Sequence, residues 1–255
     1  MSKWAKYPSL KNRSVFITGG GSGIGASIVE HFCEQGSKVG FVDIDVASSK
    51  KLVADMKAKG HIAPVFREVD LRNIAALQKA IKEISAEMGP FTILINNAAH
   101  DERHKIDDVT VEFWDDRQAV NLRHQFFTVQ AIYKEMAAAG GGSIVNIGSS
   151  SWYLAQGGMP GYTTAKCAVL GLTRGFARDL GGMNIRVNHL VPGWIMTQRQ
   201  IDKWLTPESE ADMLKKQCLK EKVYPEDVAR MALWLASDDS RMCTNQSWVV
   251  DGGWI

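Results

Sequence analysis

Cysteine is scarce. Four stand in 255 residues (Cys33, Cys167, Cys218 and Cys243), with no C-x-x-C pair and no His spacing that would build a tetrahedral zinc site. No metal site is expected, and thiols so scattered fit a reducing, cytoplasmic location. Long hydrophobic runs are missing too: no uncharged apolar stretch reaches the roughly 18 residues of a bilayer span, and the first residues lack an apolar export core. Net charge is nearly absent, 30 Lys and Arg against 28 Asp and Glu. No segment concentrates the basic residues, so neither nucleic acid nor a membrane surface is an expected partner. No internal repeat, low-complexity tract or Pro/Ser-rich linker marks a boundary, and α/β chains of this length often close around one core. Residues 1–255 therefore read as a single domain.

What is present is alternation. Short apolar or β-branched runs at 15–18, 38–42, 63–66, 92–96, 143–147, 185–190 and 248–250 read as strands. Stretches with apolar residues at three-to-four spacing, near 24–35, 47–59, 73–88, 112–138, 161–180 and 226–236, read as helices between them. This pattern calls for a parallel sheet with helices on both faces. After Pro192 the alternation lapses into polar and charged sequence, and 194–224 reads either as a lid over a ligand site or as a surface helical pair.

Directly after the first strand comes Thr18-Gly19-Gly20-Gly21-Ser22-Gly23-Ile24-Gly25, which opens into a helix. Glycines there let the backbone turn tightly beside a pyrophosphate, whose charge suits the free N–H groups of a helix N-terminus. A flexible turn is the rival reading, and the strand before with the helix after favour a nucleotide site. Asp43 closes the second strand, where a carboxylate can accept hydrogen bonds from ribose hydroxyls; its rival role is a helix cap. Neither Ser22 nor Ile44, the residue after Asp43, supplies the Arg or Lys that would welcome a 2′-phosphate, so NAD is expected over NADP. Asp70 and Leu71 follow the third strand and are candidates for the adenine edge, while Asn97 and Ala98 end the fourth strand with small residues near the cofactor or in a tight turn.

Tyr162 and Lys166 lie four apart, on one face of a helix. A tyrosine titrates near about 10, so a basic role at neutral pH needs positive charge close by. Alone the pair is common. With Ser149 thirteen residues earlier at the fifth strand's end, Asn121 in the helix before it, and Pro192-Gly193 after the sixth strand, the sequence resembles the short-chain dehydrogenase/reductases along nearly its whole length. The resemblance implies a Rossmann-like doubly wound parallel sheet, with Tyr162 as general base and Ser149 polarising the reacting oxygen. It also implies that Lys166 binds the nicotinamide ribose and lowers the tyrosine pKa, that Asn121 anchors a relay water, and that Pro192, Gly193, Ile195 and Thr197 lie along the nicotinamide. Ala99 replaces the family's usual glycine.

Within that family, Asp101 to Lys105, Asn121 to His124, Ser149 to Trp152, Gln198 to Gln200, Lys203 to Glu208 and Gln217 to Lys220 resemble bacterial aldose 1-dehydrogenases acting on xylose, arabinose or galactose. A sugar offers hydroxyls to polar groups and C–H faces to aromatic rings. His104, Gln198, Arg199 and Ser151, with Trp152 or Trp194, are the candidates. Packing for Trp152, backbone bonding for His104 and His124, and surface ion pairs for Arg103 and Arg123 are the plainer readings. His100 stands where the xylose-oxidising relatives lead one to expect Asn or a small residue, which leaves pentose against hexose open. Family members usually form tetramers, so a homotetramer is expected, with the apolar end from Trp248 to Ile255 either at the interface or packed within its own subunit.

Overall fold

The computed structural model describes residues 3–255. Among them seven strands form one parallel sheet: β1 (Ser14–Thr18), β2 (Lys38–Asp43), β3 (Val65–Glu68), β4 (Ile93–Asn96), β5 (Gly142–Ile147), β6 (Ile185–Pro192) and β7 (Ser247–Val250). Their spatial order is β3-β2-β1-β4-β5-β6-β7. A parallel sheet covered on both faces needs strands apolar on both sides, and all five residues of β1 and all four of β4 are buried.

The helices are α1 (Gly23–Glu34), α2 (Val46–Ala58), α3 (Ile74–Met88), α4 (Val111–Gln118), α5 (His124–Ala138), α6 (Pro160–Leu180), α7 (Gln198–Trp204), α8 (Pro207–Lys216) and α9 (Pro225–Ala236). One core layer joins Ile28 and Phe32 of α1 and Leu233 of α9 to Val15 and Ile17. The other joins Leu77 and Ile81 of α3 and Val129 and Ile132 of α5 to Phe16 and Leu94. Asp45 and Asn73 cap α2 and α3 by accepting the Ser48 and Ala76 N–H groups at 3.0 Å. The fold is the Rossmann-like doubly wound arrangement expected. From β1 the chain builds outward to β3 and then returns to β4 on the other side of β1, and this reversal opens a crevice at the strands' carboxyl ends.

Two elements differ from the sequence reading. The third strand starts at Val65, not at 63, because Pro64 has no N–H for the ladder and pairing begins at Gly40–Val65. The stretch 112–138 is not one α-helix: a π-helical turn, Ala119–Arg123, separates α4 from α5. There the buried Asn121 side chain donates to the Arg117 carbonyl at 2.9 Å, taking an acceptor that the α-helical ladder would use. The 194–224 stretch carries α7 and α8, the latter opened by a Thr206/Ser209 capping box. Among the described residues no helix is long and apolar enough to cross a membrane.

Candidate active site

A cleft of about 1130 Å³ runs along the carboxyl ends of β2, β1, β4, β5 and β6. At one end lies the glycine loop. Gly19 has φ +68°, and a Cβ on Gly25 would lie 1.7 Å from the Gly19 carbonyl oxygen, so α1 begins in direct contact with the turn before it. Ser22 is the N-cap of α1 but makes no side-chain cap bond, and the first turn has no acidic residue, which leaves the helix's leading N–H groups facing the cleft. Asn97 braces the loop: its Nδ2 donates to the Thr18 and Gly19 carbonyls at 3.1 and 2.9 Å, and the Asn97 N–H donates to Thr18 Oγ1 at 3.0 Å.

Asp43 Oδ2 accepts the Gly21 N–H at 2.8 Å and Oδ1 accepts the Asp45 N–H at 2.9 Å. The capping role belongs to Asp45, and Asp43 keeps further lone pairs toward the cleft it lines. Asp70 lies two residues beyond β3; Arg72 is bonded to it and holds its carboxyl below the usual range. Arg72, the cation beside this end, is held by both Asp70 and Asp116. Leu71, Ala98, Pro192, Gly193, Ile195 and Thr197 also line the cleft; Gly23 does not, though a Cβ there would lie 3.3 Å from Thr197 Cγ2. An extended trough with free N–H groups at a helix start and a carboxylate at its far end fits a dinucleotide.

Midway along the cleft, Ser149, Tyr162 and Lys166 come together. Ser149 lies two residues past β5 and its Oγ accepts the Ser151 N–H at 3.2 Å, which leaves its own hydrogen free to donate. Burial pushes the phenol of Tyr162, in the first turn of α6, up to about 12; Ser149 opposes this, Asp101 raises it further and Arg103 opposes. One turn on, Lys166 is buried, donates to the Ile147 carbonyl at 2.8 Å, and lies 5.8 Å from the Tyr162 ring centre. Burial pulls its ammonium down to about 7. Asn121 does not line the cleft. Its Oδ1 takes the His100 N–H at 2.8 Å and its Nδ2 donates to the Arg117 and His100 carbonyls, so it joins the segment after β4 to the π-helical turn.

The remaining end is walled by side chains from the segment after β4 and from α7. Asp101 accepts from Arg199 Nη2 at 3.1 Å and from Gln200 Nε2 at 2.8 Å, and Gln200 Oε1 accepts the Trp194 indole N–H at 2.9 Å. Arg103 lies over the Trp204 ring at 5.0 Å. Of the sugar candidates, Ser151, Trp194 and Arg199 line the cleft. Three do not. His104 takes the Gly161 N–H on Nε2 and packs on Phe113, Trp152 stacks on Tyr153 at 3.6 Å, and Gln198 turns out to Asp202. Arg123 donates to the Arg72 carbonyl, and buried His124 bonds the Ala98 carbonyl.

Sequence reasoning took Arg103 for a surface ion pair, quoted Asp101, Gln200 and Trp204 only within segments of family resemblance, and missed Gln156 and Trp254; all six line the wall. No local periodicity flags them, because their partners lie as much as 99 residues away. It also missed a buried polar chain behind the site: Thr128 Oγ1 donates to Asn96 Oδ1, Asn96 Nδ2 to Asn146 Oδ1, and Asn146 Nδ2 to Thr173 Oγ1. Asn in an apolar strand was the available signal, since a buried amide requires partners.

A family model described as enoyl-(acyl carrier protein) reductase matches residues 19–255. With this match, the Rossmann-like sheet and the clustered Ser149, Tyr162 and Lys166, the chain belongs to the short-chain dehydrogenase/reductase family. It is an NAD(P)-dependent oxidoreductase of a small polar substrate. It is 47% identical to the D-xylose 1-dehydrogenase of Caulobacter vibrioides over 98% of each chain. It is 46% identical to a protein of Rhizobium meliloti named "probable galactose dehydrogenase", over 98% of this chain and 97% of that one. Among solved structures, a 3-oxoacyl-[acyl-carrier protein] reductase with bound NAD from Brucella melitensis superposes with a TM-score of 0.89 at 30% identity, covering 100% of this chain and 98% of that one.

Proposed function

We propose that the protein oxidises a cyclic aldose at C1 to the aldonolactone, with NAD as hydride acceptor and Tyr162 as general base. The observation that carries this reading is the meeting of Ser149, Tyr162 and Lys166 in a cleft whose far wall is polar, in a chain nearly half identical to two sugar dehydrogenases. The glycine loop and the N-terminus of α1 would hold the pyrophosphate, Asp43 the adenosine ribose, and Thr197 with Ile195 the nicotinamide side. NAD bound there would supply the hydride acceptor for C1 and a positive charge beside the tyrosine. Ser149 donates to the anomeric oxygen and holds it against Tyr162. A phenol at about 12 is a poor base at neutral pH until cationic charge stabilises its anion. Lys166 supplies part of that charge from the next turn, and Asn121 fixes the π-helical turn against the segment after β4.

Asp43 repels a 2′-phosphate, and Arg72 is already paired twice, which supports NAD over NADP. Segment 194–224 serves as the substrate lid, its α7 already bonded across the cleft mouth through Asp101. Phe126, 43% exposed and packed against Phe127 and Phe176, gives α5 and α6 an outward apolar face that supports a homotetramer.

The test is NADH formation at 340 nm on a panel of aldoses, non-sugar alcohols and, in reverse, 3-oxoacyl thioesters, with wild type and Tyr162→Phe. Wild type turns over one or two aldoses with NAD, and Tyr162→Phe loses about 10²- to 10⁴-fold in kcat while still binding NADH. Turnover confined to thioesters, or a fully active Tyr162→Phe, overturns the reading.

A further inference from the structure

Arg103 stands apart from the other charges around the cleft. The carboxylates just before it are engaged elsewhere, Asp101 with Arg199 at 3.1 Å and Glu102 with Arg117 at 2.7 Å. Among the described residues no carboxylate pairs with Arg103, and its buried Nε–H has no acceptor. Two contacts fix its plane: the Trp204 ring beneath it, and the Gln156 amide, whose oxygen, turned toward the guanidinium, accepts from Nη1 at 3.0 Å and Nη2 at 3.2 Å. A guanidinium with an amide on one edge, a ring beneath it and donors left over can still take a second acceptor. Ser151, whose carbonyl accepts the Gln156 N–H at 3.0 Å, has a buried hydroxyl that is unbonded as well. The residue lines the same cleft and is only 3% exposed. A buried donor without an acceptor is costly unless a ligand completes it.

We infer that Arg103, held by Gln156 and Trp204, and the Ser151 hydroxyl form the subsite that binds the sugar's adjacent hydroxyls remote from the reacting carbon. The inference rests on the aldose reading above and adds the residues that recognise the far side of the ring. Arg103 and Ser151 line the same cleft as Ser149 and Tyr162, which hold the reacting oxygen. On the aldose reading the occupant is a pair of adjacent hydroxyl oxygens, able to accept from the guanidinium and exchange a hydrogen bond with Ser151.

The experiment pairs protein variants with substrate variants. Wild type, Arg103→Met, Arg103→Lys and Ser151→Ala are assayed on D-xylose and D-galactose and on analogues lacking one remote ring hydroxyl, with NADH binding followed by fluorescence as the check on folding. Arg103→Met raises KM by about 10- to 100-fold with kcat little changed, the loss of one or two charge-assisted hydrogen bonds. Removing the partner hydroxyl costs wild type a similar factor but costs Arg103→Met almost nothing, because the contact is already gone. Arg103→Lys keeps the charge yet fails to restore KM, and Ser151→Ala gives a smaller loss of the same kind. If the deoxy penalty persists undiminished in Arg103→Met and Ser151→Ala, or the Arg103→Met loss falls on kcat alone, the subsite is overturned while the aldose reading stands. If wild type turns over no aldose, both fall together.

Discussion

The two ends of the cleft are built differently. At the cofactor end the shape is set by backbone: a glycine turn pressed on the start of α1, braced by Asn97 to main-chain carbonyls. At the substrate end it is set by side chains bonded to side chains, Asp101 to Arg199 and Gln200, and Arg103 laid on Trp204. The first construction tolerates almost no change and serves any substrate that the cofactor can oxidise. The second can be rewritten one residue at a time, so specificity can vary there without disturbing the chemistry.

The sharpest way to break this contrast is at Gly25. A Cβ there meets a backbone carbonyl that cannot swing aside, so Gly25→Ala is expected to cost about 3 kcal/mol or more and to abolish dinucleotide binding. Thermal melts and NADH fluorescence check it, and a stable variant that still binds NADH would show the loop to be softer than its geometry implies. Asp43→Ser comes next: loss of the carboxylate shifts the NADP-to-NAD ratio of kcat/KM upward by about 10- to 100-fold, read from initial rates with each cofactor.

Lys166 separates stability from function. Its folded value of about 7 lies below the 10.5 of an ordinary lysine, so the folded state holds fewer protons between those values. The cost of burying the cation is therefore fully present below about pH 7 and is relieved as pH rises toward the unfolded value. Lys166→Met is expected to lose most activity yet to melt a few degrees higher than wild type at about pH 6, with the gain shrinking at about pH 9. Paired melts at the two pH values measure it. The smallest effect is expected at the substrate end, where Asp101→Asn loosens a partly exposed ion pair and raises KM by up to about 5-fold, an effect that added salt in the wild type partly reproduces.

The same contrast explains what could be read from the sequence. The alternation of strands and helices, the glycine loop, Asp43 and the Tyr162/Lys166 pair are local patterns, fixed by periods and spacings within a few residues. Ser149 and Asn121 needed the family resemblance to be singled out. The substrate wall was only partly legible. His104, Trp152 and Gln198 have the right chemistry for a sugar but lie outside the cleft lining, whereas Arg103, read as a surface ion pair, and Gln156, which no pattern marks, line it. Proximity across the fold decides these, and composition does not report it.

The π-helical turn between α4 and α5 has a consequence for how this chain can change in length. Losing one residue from an α-helix rotates everything beyond the gap by about 100° and turns buried positions outward. At Ala119–Arg123 the chain already carries a surplus residue, so a deletion there would convert the turn to ordinary α-helix and leave the inward row of Thr128, Ile132 and Met136 in phase. The sheet would keep its covering helix, and only the tie between Asn121 and the segment after β4 would be lost.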